Sequence, residues 1–413
     1  MADDQALAGL AQARSLISGL VQGGVKRAVI SPGSRSTPLA LACLRHERLE
    51  TEVVIDERSA AFFALGLARK TRRPVVVIAT SGSAPANWYP ALIEAHEDRV
   101  PLVFVSADRP PELLDCGANQ TTSQSALFGE RVRGFLALGP ASGLAVDFAH
   151  AGSAGARAAD LAQWPCPGPV HVNVPFREPL LAGGARVADA EVPGAAEPVR
   201  VARPVLEPDE WALGQIDEVV SRGRGIIVCG PCHSGEIDPP ALVRLAEKCD
   251  APILADPLSG LRCGPWPKRF VVSGYDAFLR GQAPAYPDWV LQFGGTPVSA
   301  TLQRWLAQPR MPRPMVVAAC APWPDPALRA SLVVHADPGR VIAMLCDIVS
   351  AVSHADWTDT WRHSDDETHC ADTTILPREA ALMQAASAAI AENGSLFLGN
   401  SMVIRDADSF LSG

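Results

Sequence analysis

Five runs of β-branched and apolar residues, each handing over to helical periodicity, fill residues 26–176 and constrain the fold more than any other feature. They are RAVIS near 27–31, TEVVID at 51–56, PVVVIAT at 74–80, PLVFVSA at 101–107 and PVHVNVPF at 169–176. Helical patterns lie at 37–46, 59–70, 84–97 and 145–163. Such alternation predicts a doubly wound α/β domain with a parallel sheet. Thr51 to Ile55 (TEVVI) is apolar and β-branched enough to read as a buried strand of that sheet.

The pattern recurs over 211–350, with strands GIIVCG, APILAD (251–256), DWVLQFG (288–294), PMVVAAC (314–320) and LVVHAD (332–337). No G-x-G-x-x-G opens a helix there and no Walker loop occurs, so a nucleotide-type domain without its phosphate chemistry is expected. Residues 182–210 are rich in Ala, Pro, Gly and charge and read as a linker, and 351–376 as a second, polar one. A third unit opens at 377 with a helix over 377–392, a stop at Asn393-Gly394, the strand SLFLG (395–399) and a loop from Asn400 to Asp406. One helix and one strand make no core, so the third domain (377–413) is expected to be incomplete.

With 413 residues, 48% of them hydrophobic, the chain is long enough for two to three domains. A net charge of −9 and no evident block of Lys/Arg argue against nucleic acid and anionic membrane as partners. The acidic, amphipathic N-terminus lacks the features of a signal peptide, and no apolar run reaches a membrane span; the cytoplasm is the expected compartment. The ten cysteines then read mostly as buried thiols. Cys229-Gly230-Pro231-Cys232-His233 matches the haem-attachment pattern, but it follows a strand where a βα turn belongs; turn residues are the preferred reading over a redox pair or haem. His363, His369 and Cys370 invite a metal reading, but without a second ligand pair they fit a solvated helix face, and no metal ligand is assigned.

The chemistry is expected where strands end. TEVVI runs into Asp56-Glu57, and an apolar helix starts at once from Ser59, so Glu57 sits between apolar groups where a carboxylate resists ionisation and can hold or pass a proton. The bland alternative is a helix-start glutamate left in solvent.

Seven segments resemble one family: SPGSRSTPLALA (31–42), DERSAAFFALGLA (56–68), TSGSAPANWYPALIEA (80–95), PLVFVSADRPPEL (101–113), GANQTTSQSALFG (117–129), GPVHVNVPFREPL (168–180) and GNSMVIRDAD (399–408). In order and wording they resemble the 2-succinyl-5-enolpyruvyl-6-hydroxy-3-cyclohexene-1-carboxylate synthases, thiamine-diphosphate enzymes of menaquinone synthesis. The resemblance implies a thiamine-diphosphate-binding fold of three α/β domains. Residues 1–181 resemble the pyrimidine-binding domain, 211–350 the central domain, and 377–413 the opening of the diphosphate-binding domain. The family's Gly-Asp metal and diphosphate motif lies downstream of GNSMVIRD. The chain alone is therefore expected to bind thiamine diphosphate weakly or not at all, with no ligands of its own for Mg²⁺ or Mn²⁺.

The resemblance assigns Glu57 to the pyrimidine N1′, where a carboxyl group favours the tautomer that takes the C2 proton. It implies 2-oxoglutarate and isochorismate as substrates, decarboxylation of the first and addition to the second, and at least a homodimer or homotetramer. By resemblance, Ser34, Arg35, Arg109, Asn119, Gln120, Ser401 and Arg405 contact substrate, and Ser81, Gly82, Asn119 and Gln120 the cofactor. Arg forks and neutral donors suit carboxylates. The competing reading of each arginine is a surface ion pair, for instance Arg109 with Asp108 or Glu112. Ser81-Gly82-Ser83 replaces the family's usual Ser-Gly-Thr and keeps a hydroxyl. Ala300 stands where the family often has a substrate-holding Lys, and Arg304, one turn on, is a candidate substitute. Two alternatives stay open: a non-catalytic scaffold descended from the enzyme, and a different thiamine enzyme of the acetolactate-synthase type.

Overall fold

The structure, a computed structural model, describes residues 2–411 except 126, 182–200, 234, 282, 321, 370–376 and 392–393. The chain divides into two compact units, Met1–Arg203 and Pro204–Gly413. Most of the expected 182–210 linker lies outside the described residues, and 201–209 carry no regular structure.

The first unit runs α1 (Ala2–Gln22), β1 (Arg27–Ile30), α2 (Thr37–Leu44), β2 (Glu50–Val53), α3 (Glu57–Thr71), β3 (Val75–Ala79), α4 (Tyr89–Glu97), β4 (Leu102–Asp108), β5 (Gly134–Ala137), α5 (Ala145–Leu161) and β6 (Pro169–Pro175). Its six strands are all parallel, in the order β2-β1-β3-β4-β6-β5. Successive side chains alternate between two cores, as the pleat requires. Val76, Ile78, Val103 and Val105 pack with α1, α2 and α5 on one face. Val75, Val77, Leu102 and Phe104 pack with α3 and α4 on the other. The first core depends on an unusually close crossing of α1 and α5. A Cβ on Gly19 would lie 2.0 Å from the Gly152 carbonyl oxygen, and one on Gly155 would lie 2.2 Å from that of Leu16.

The doubly wound parallel architecture expected from the alternation is present. TEVVI, however, is not a buried strand. β2 forms the sheet edge, Val53 is 57% and Ile55 83% exposed, and pairing stops at Val53. An apolar β-branched run fits a buried strand and an edge strand equally well, since only the neighbours decide which it becomes. β5, at the opposite edge, was not expected; four residues of alternating exposure carry too little signal.

The second unit runs α6 (Glu210–Val220), β7 (Gly225–Cys229), α7 (Pro239–Cys249), β8 (Ile253–Ala255), β9 (Val271–Val272), α8 (Tyr275–Phe278), β10 (Trp289–Phe293), α9 (Ala300–Leu306), β11 (Met315–Val317), β12 (Leu332–Val334), α10 (Pro338–Ile348), α11 (Trp357–His369), α12 (Arg378–Ala389) and α13 (Met402–Phe410). Its parallel sheet is ordered β12-β11-β10-β7-β8-β9. Ile227, Leu291 and Phe293 pack towards α6, α7 and α10, and Ile226, Val228 and Val290 towards α9 and α11.

Two expectations fail here for identifiable reasons. The polar 351–376 segment contains α11, whose Trp357 and Trp361 sit one turn apart and are buried edge-to-face, 6.0 Å between centroids. Two tryptophans at that spacing outweigh a charged opposite face. SLFLG is not a strand: among the described residues it meets no hydrogen-bonded neighbour, and Phe397 is 96% exposed. A strand exists only through its ladder. The expected loop after it is largely α13, which begins at Met402 beyond Ser401, a residue with φ +70°. Cys370, Asn393 and the end of the expected 377–392 helix lie outside the described residues, and α12 ends at Ala389. Among the described residues no helix is long and apolar enough to cross a membrane.

Candidate functional site

In the first unit the chosen residues follow the carboxyl ends of adjacent strands. Ser34 and Arg35 follow β1, Glu57 follows β2, Ser81 and Gly82 follow β3, and Arg109 follows β4. β1 lies between β2 and β3, the position in an open sheet where the winding reverses and ligands settle. The turns are tied to one another. Ser31 Oγ donates to the Val54 carbonyl (3.0 Å), joining the β1 turn to the segment that carries Asp56-Glu57. A Cβ on Gly33 would lie 2.4 Å from Thr80 Cβ, so the bare backbone of the β1 turn packs against the Thr80 side chain just after β3.

Glu57 is the first residue of α3. Asp56 caps that helix, its carboxylate accepting from the Ser59 amide (2.7 Å). With the cap supplied by Asp56, the half-buried Glu57 carboxyl is left with no hydrogen bond or ion pair among the described residues. Arg35 is buried and turned towards β6: Nη1 donates to the Phe176 carbonyl (2.9 Å) and Nη2 to Glu178 (2.8 Å). Ser34 is exposed.

Arg109 differs from Arg35. Its guanidinium donates to Ser81 Oγ and has no ion pair among the described residues, because Asp108 takes the Arg109 backbone amide (2.7 Å) and Glu112 takes Arg177 (2.6 Å). Burial, followed by repulsion from Arg35, pushes the Arg109 guanidinium below its ordinary pKa. A half-buried cation with no direct ion pair, on which Asp108 and Glu178 act only from a distance, can take an anion. Gln120 reaches the same turn, its Nε2 donating to the Ser81 carbonyl (3.1 Å), while Gly82 at φ +82° leaves room for it; a Cβ there would meet Gln120 Cγ at 2.8 Å. The turn thus gathers Ser81, Gly82, Arg109 and Gln120. Asn119 is exposed on the same loop.

Beneath these residues lies a polar network that sequence reading missed. His171 on β6 meets Ser106 Oγ (2.7 Å), Ser106 donates to Asn173 Oδ1 (2.7 Å), and Asn173 Nδ2 donates to Asp108 (2.8 Å). Since the Ser106 proton goes to Asn173, His171 Nε2 must be the donor in the first link. The alternation His-x-Asn within PVHVNVP was the available signal: two polar side chains on one face of an otherwise apolar strand. Burial pushes His171 down to about 3. The folded protein therefore prefers the neutral ring, and its stability is intact above pH 6.5 and falls as pH drops from there towards about 3. At about 1.4 kcal/mol per tenfold change in proton affinity the loss approaches ~5 kcal/mol. Urea midpoints at pH 7.5 and 4.5 are expected to differ much less in His171→Gln than in the unaltered chain. An equal acid sensitivity in both would show that another group is responsible.

Ser401 and Arg405 belong to the second unit. Both are exposed, and among the described residues the Arg405 guanidinium meets only the Met402 sulfur (3.9 Å). Arg405, Arg304, Arg280 and Ala300 line one cavity of about 260 Å³, with Asp276 and Asp408 in its wall. Among the described residues Arg304 uses only Nε, donating to the Ala300 carbonyl (3.1 Å), and its two amino groups meet no partner there. Arg280 was not singled out from sequence; it pairs with Asp276 (2.5 Å).

Two other clusters do no such chemistry. Ser273, His369 and Asp365 gather as a nucleophilic triad would, but both contacts fall on the same ring nitrogen, His369 Nε2, at 2.9 and 3.5 Å; a triad needs one on each. His363 pairs with Glu367 on the exposed face of α11. Cys229 is buried at the end of β7 and Cys232 lies in the turn, with the sulfurs 3.8 Å apart as free thiols; the contact with Cys232 and then burial push the Cys229 thiol up. Among the described residues no group of three or more His, Cys, Asp or Glu is arranged to hold a metal ion.

Residues 11–127 match the family described as thiamine pyrophosphate enzyme, N-terminal TPP binding domain. Three curated relatives carry the name 2-succinyl-5-enolpyruvyl-6-hydroxy-3-cyclohexene-1-carboxylate synthase. That of Dechloromonas aromatica is 41% identical over 404 residues, covering 96% of this chain and 72% of the relative. That of Geobacillus thermodenitrificans is 42% identical over 411 residues (96% and 69%), and that of Chloroflexus aurantiacus 39% over 410 (96% and 69%).

Proposed function

The chain belongs to the 2-succinyl-5-enolpyruvyl-6-hydroxy-3-cyclohexene-1-carboxylate synthase family of thiamine-diphosphate-dependent enzymes, and we propose that it carries the pyrimidine-binding and carboxylate-recognising parts of such a synthase. In this reading residues 1–181 hold the pyrimidine half of the cofactor, 211–350 form the central domain and 377–413 open the diphosphate-binding domain. The substrates are 2-oxoglutarate and isochorismate.

The donor set fits the pyrimidine half of thiamine diphosphate: Glu57 offers a free, half-buried carboxyl at a strand end to a ring nitrogen. When bound, that cofactor supplies the carbon nucleophile for decarboxylating addition to a 2-oxo acid. Glu57 holds or releases the proton at the ring nitrogen. The β3 turn at Ser81-Gly82, with Asn119 and Gln120 above it, orients the ring. Arg109, backed by Arg35 and Ser34, takes a substrate carboxylate. Arg405 and Ser401 take another, and Arg304 with Arg280 supplies the charge that Ala300 lacks. Mg²⁺ or Mn²⁺ would supply charge neutralisation for the diphosphate, with no residue of this chain assigned to hold it. A cytoplasmic homodimer or homotetramer completes the reading. The exposed apolar side chains of Val53 and Ile55, at the β2 edge, and of Phe62 and Phe63, on α3, support association, because apolar surface beside an open sheet edge calls for cover.

One observation carries the proposal: Arg109, half-buried and in no direct ion pair among the described residues, its guanidinium aimed at Ser81 at the mouth of the sheet. Assayed with thiamine diphosphate, Mg²⁺ and a complementing diphosphate-binding domain from a relative, the protein is expected to decarboxylate 2-oxoglutarate in the presence of isochorismate. Arg109→Ala is expected to raise KM for a carboxylate substrate about 10- to 100-fold, the worth of one charge-assisted hydrogen bond. Preference for pyruvate over 2-oxoglutarate would instead favour an acetolactate-type enzyme.

A further inference from the structure

Between Arg109 and the loop that bears Asn119 and Gln120 runs a chain of hydrogen bonds with only one possible direction. Gln124, at the buried end of that loop, is 1% exposed. Its Nε2 donates to the Ala107 carbonyl (3.2 Å) and to Asn173 Oδ1 (2.7 Å). Both partners are oxygens, so the amide cannot be turned over, and Gln124 Oε1 is left buried without a donor. Asn173 Oδ1 also accepts from Ser106, so its Nδ2 must face Asp108 Oδ2 (2.8 Å). Asp108 Oδ1 in turn accepts the backbone amide of Arg109 (2.7 Å). The other end of the loop is pinned to the same place, because Gln120 and Arg109 both bond Ser81.

Packing does not do this work. A cavity of about 150 Å³ lies between the loop and Asp108, lined by Gly117, Thr121 and Gln124 among others. Hydrogen bonds, not close contact, set the loop's position over that gap.

We infer that Gln124 and Asn173 are positioning residues that lock the Asn119–Gln120 loop to Arg109, so that the neutral donors and the guanidinium meet a carboxylate substrate as one preset group. The inference rests on the functional reading for its kinetics but not for its structural readout. Gln124→Met keeps the side-chain volume and removes both donors. It is expected to raise KM for the carboxylate substrate roughly tenfold, the worth of about one hydrogen bond, with kcat changed less than about threefold. In an Arg109→Ala background the same change is expected to have little further effect, since the partner it positions is gone. Amide hydrogen exchange in residues 117–125 is expected to quicken while β3, β4 and β6 stay protected. Asn173→Thr cuts the chain from its other side and is expected to match. If the unaltered protein, complemented with a diphosphate-binding domain, acts on neither substrate, the functional reading fails and the exchange result still decides the inference. Unchanged loop exchange in Gln124→Met overturns it. So does a full additive loss in the Arg109→Ala background, or loss of the fold in both Gln124→Met and Asn173→Thr, which would make these links supports of the core.

Discussion

Glu57→Gln is expected to lower kcat by about 10²- to 10⁴-fold, the usual worth of a positioned acid–base group, with little change in KM. The amide has nearly the same shape and can still touch a ring nitrogen, but it cannot release a proton to that nitrogen and take it back. The fold should hardly notice. Asp56, not Glu57, caps α3, and the lost negative charge at the helix start is worth only about 0.3–1 kcal/mol. Melting temperature and turnover should therefore part company, which separates chemistry from stability in one comparison. Measured with saturating thiamine diphosphate in the complemented protein, turnover within about threefold of the unaltered protein would rule out Glu57 as the proton partner.

Arg262→Ala is expected to destabilise the second unit by about 3–5 kcal/mol, the penalty for stranding a buried charge. Arg262 is 4% exposed and Asp408, its partner at 2.5 Å, is 1% exposed. The guanidinium also donates to the carbonyls of Ala255 (2.8 Å), Asp408 (3.0 Å) and Leu411 (2.9 Å). It thereby occupies acceptors at the C-terminal turn of α13, which no amide of the helix can reach. Removing it strips those carbonyls of their donor and leaves the buried Asp408 carboxylate with the Tyr275 hydroxyl (2.9 Å) and no counter-charge. Burial already pushes Asp408 up to about 6, against the pull of Arg262. Because this folded value exceeds the ordinary 3.8, the contribution of Asp408 is full below pH 3.8 and is lost as pH rises through about 6. The variant should consequently suffer most at neutral pH. Limited proteolysis ahead of Met402 and urea midpoints at pH 5 and 7.5 measure it. A variant as protected as the unaltered chain at both pH values would show that α13 is held by its apolar face alone.

The strands of both sheets were legible because β-branched runs bounded by turns have few other uses. The edges were not. β5 and β9 are too short to carry a period, TEVVI took the rim instead of the interior, and SLFLG found no partner, because pairing is a property of two segments. Site positions were legible to the extent that strand ends are. Ser81, Gly82, Arg109 and Gln120 gather at one turn because their strands lie side by side. The direction in which a long side chain points was not legible. Arg35 looks locally like Arg109, yet it is spent on Glu178, 143 positions away. The tie between Gln124 and Asn173 spans 49 positions and two elements, and nothing in either neighbourhood announces it.

The seam where Gly19 and Gly155 let two helices touch backbone to backbone also determines how this lobe tolerates mutational drift. Neighbouring alanines can exchange for other small residues at modest expense, but any side chain at either notch must wedge two rigid rods apart and uncover the sheet beneath. Exchange of the small residues of α1 and α5 for alanine or serine should therefore yield two sharp cliffs in an otherwise gentle landscape, located by the absence of a single methyl group.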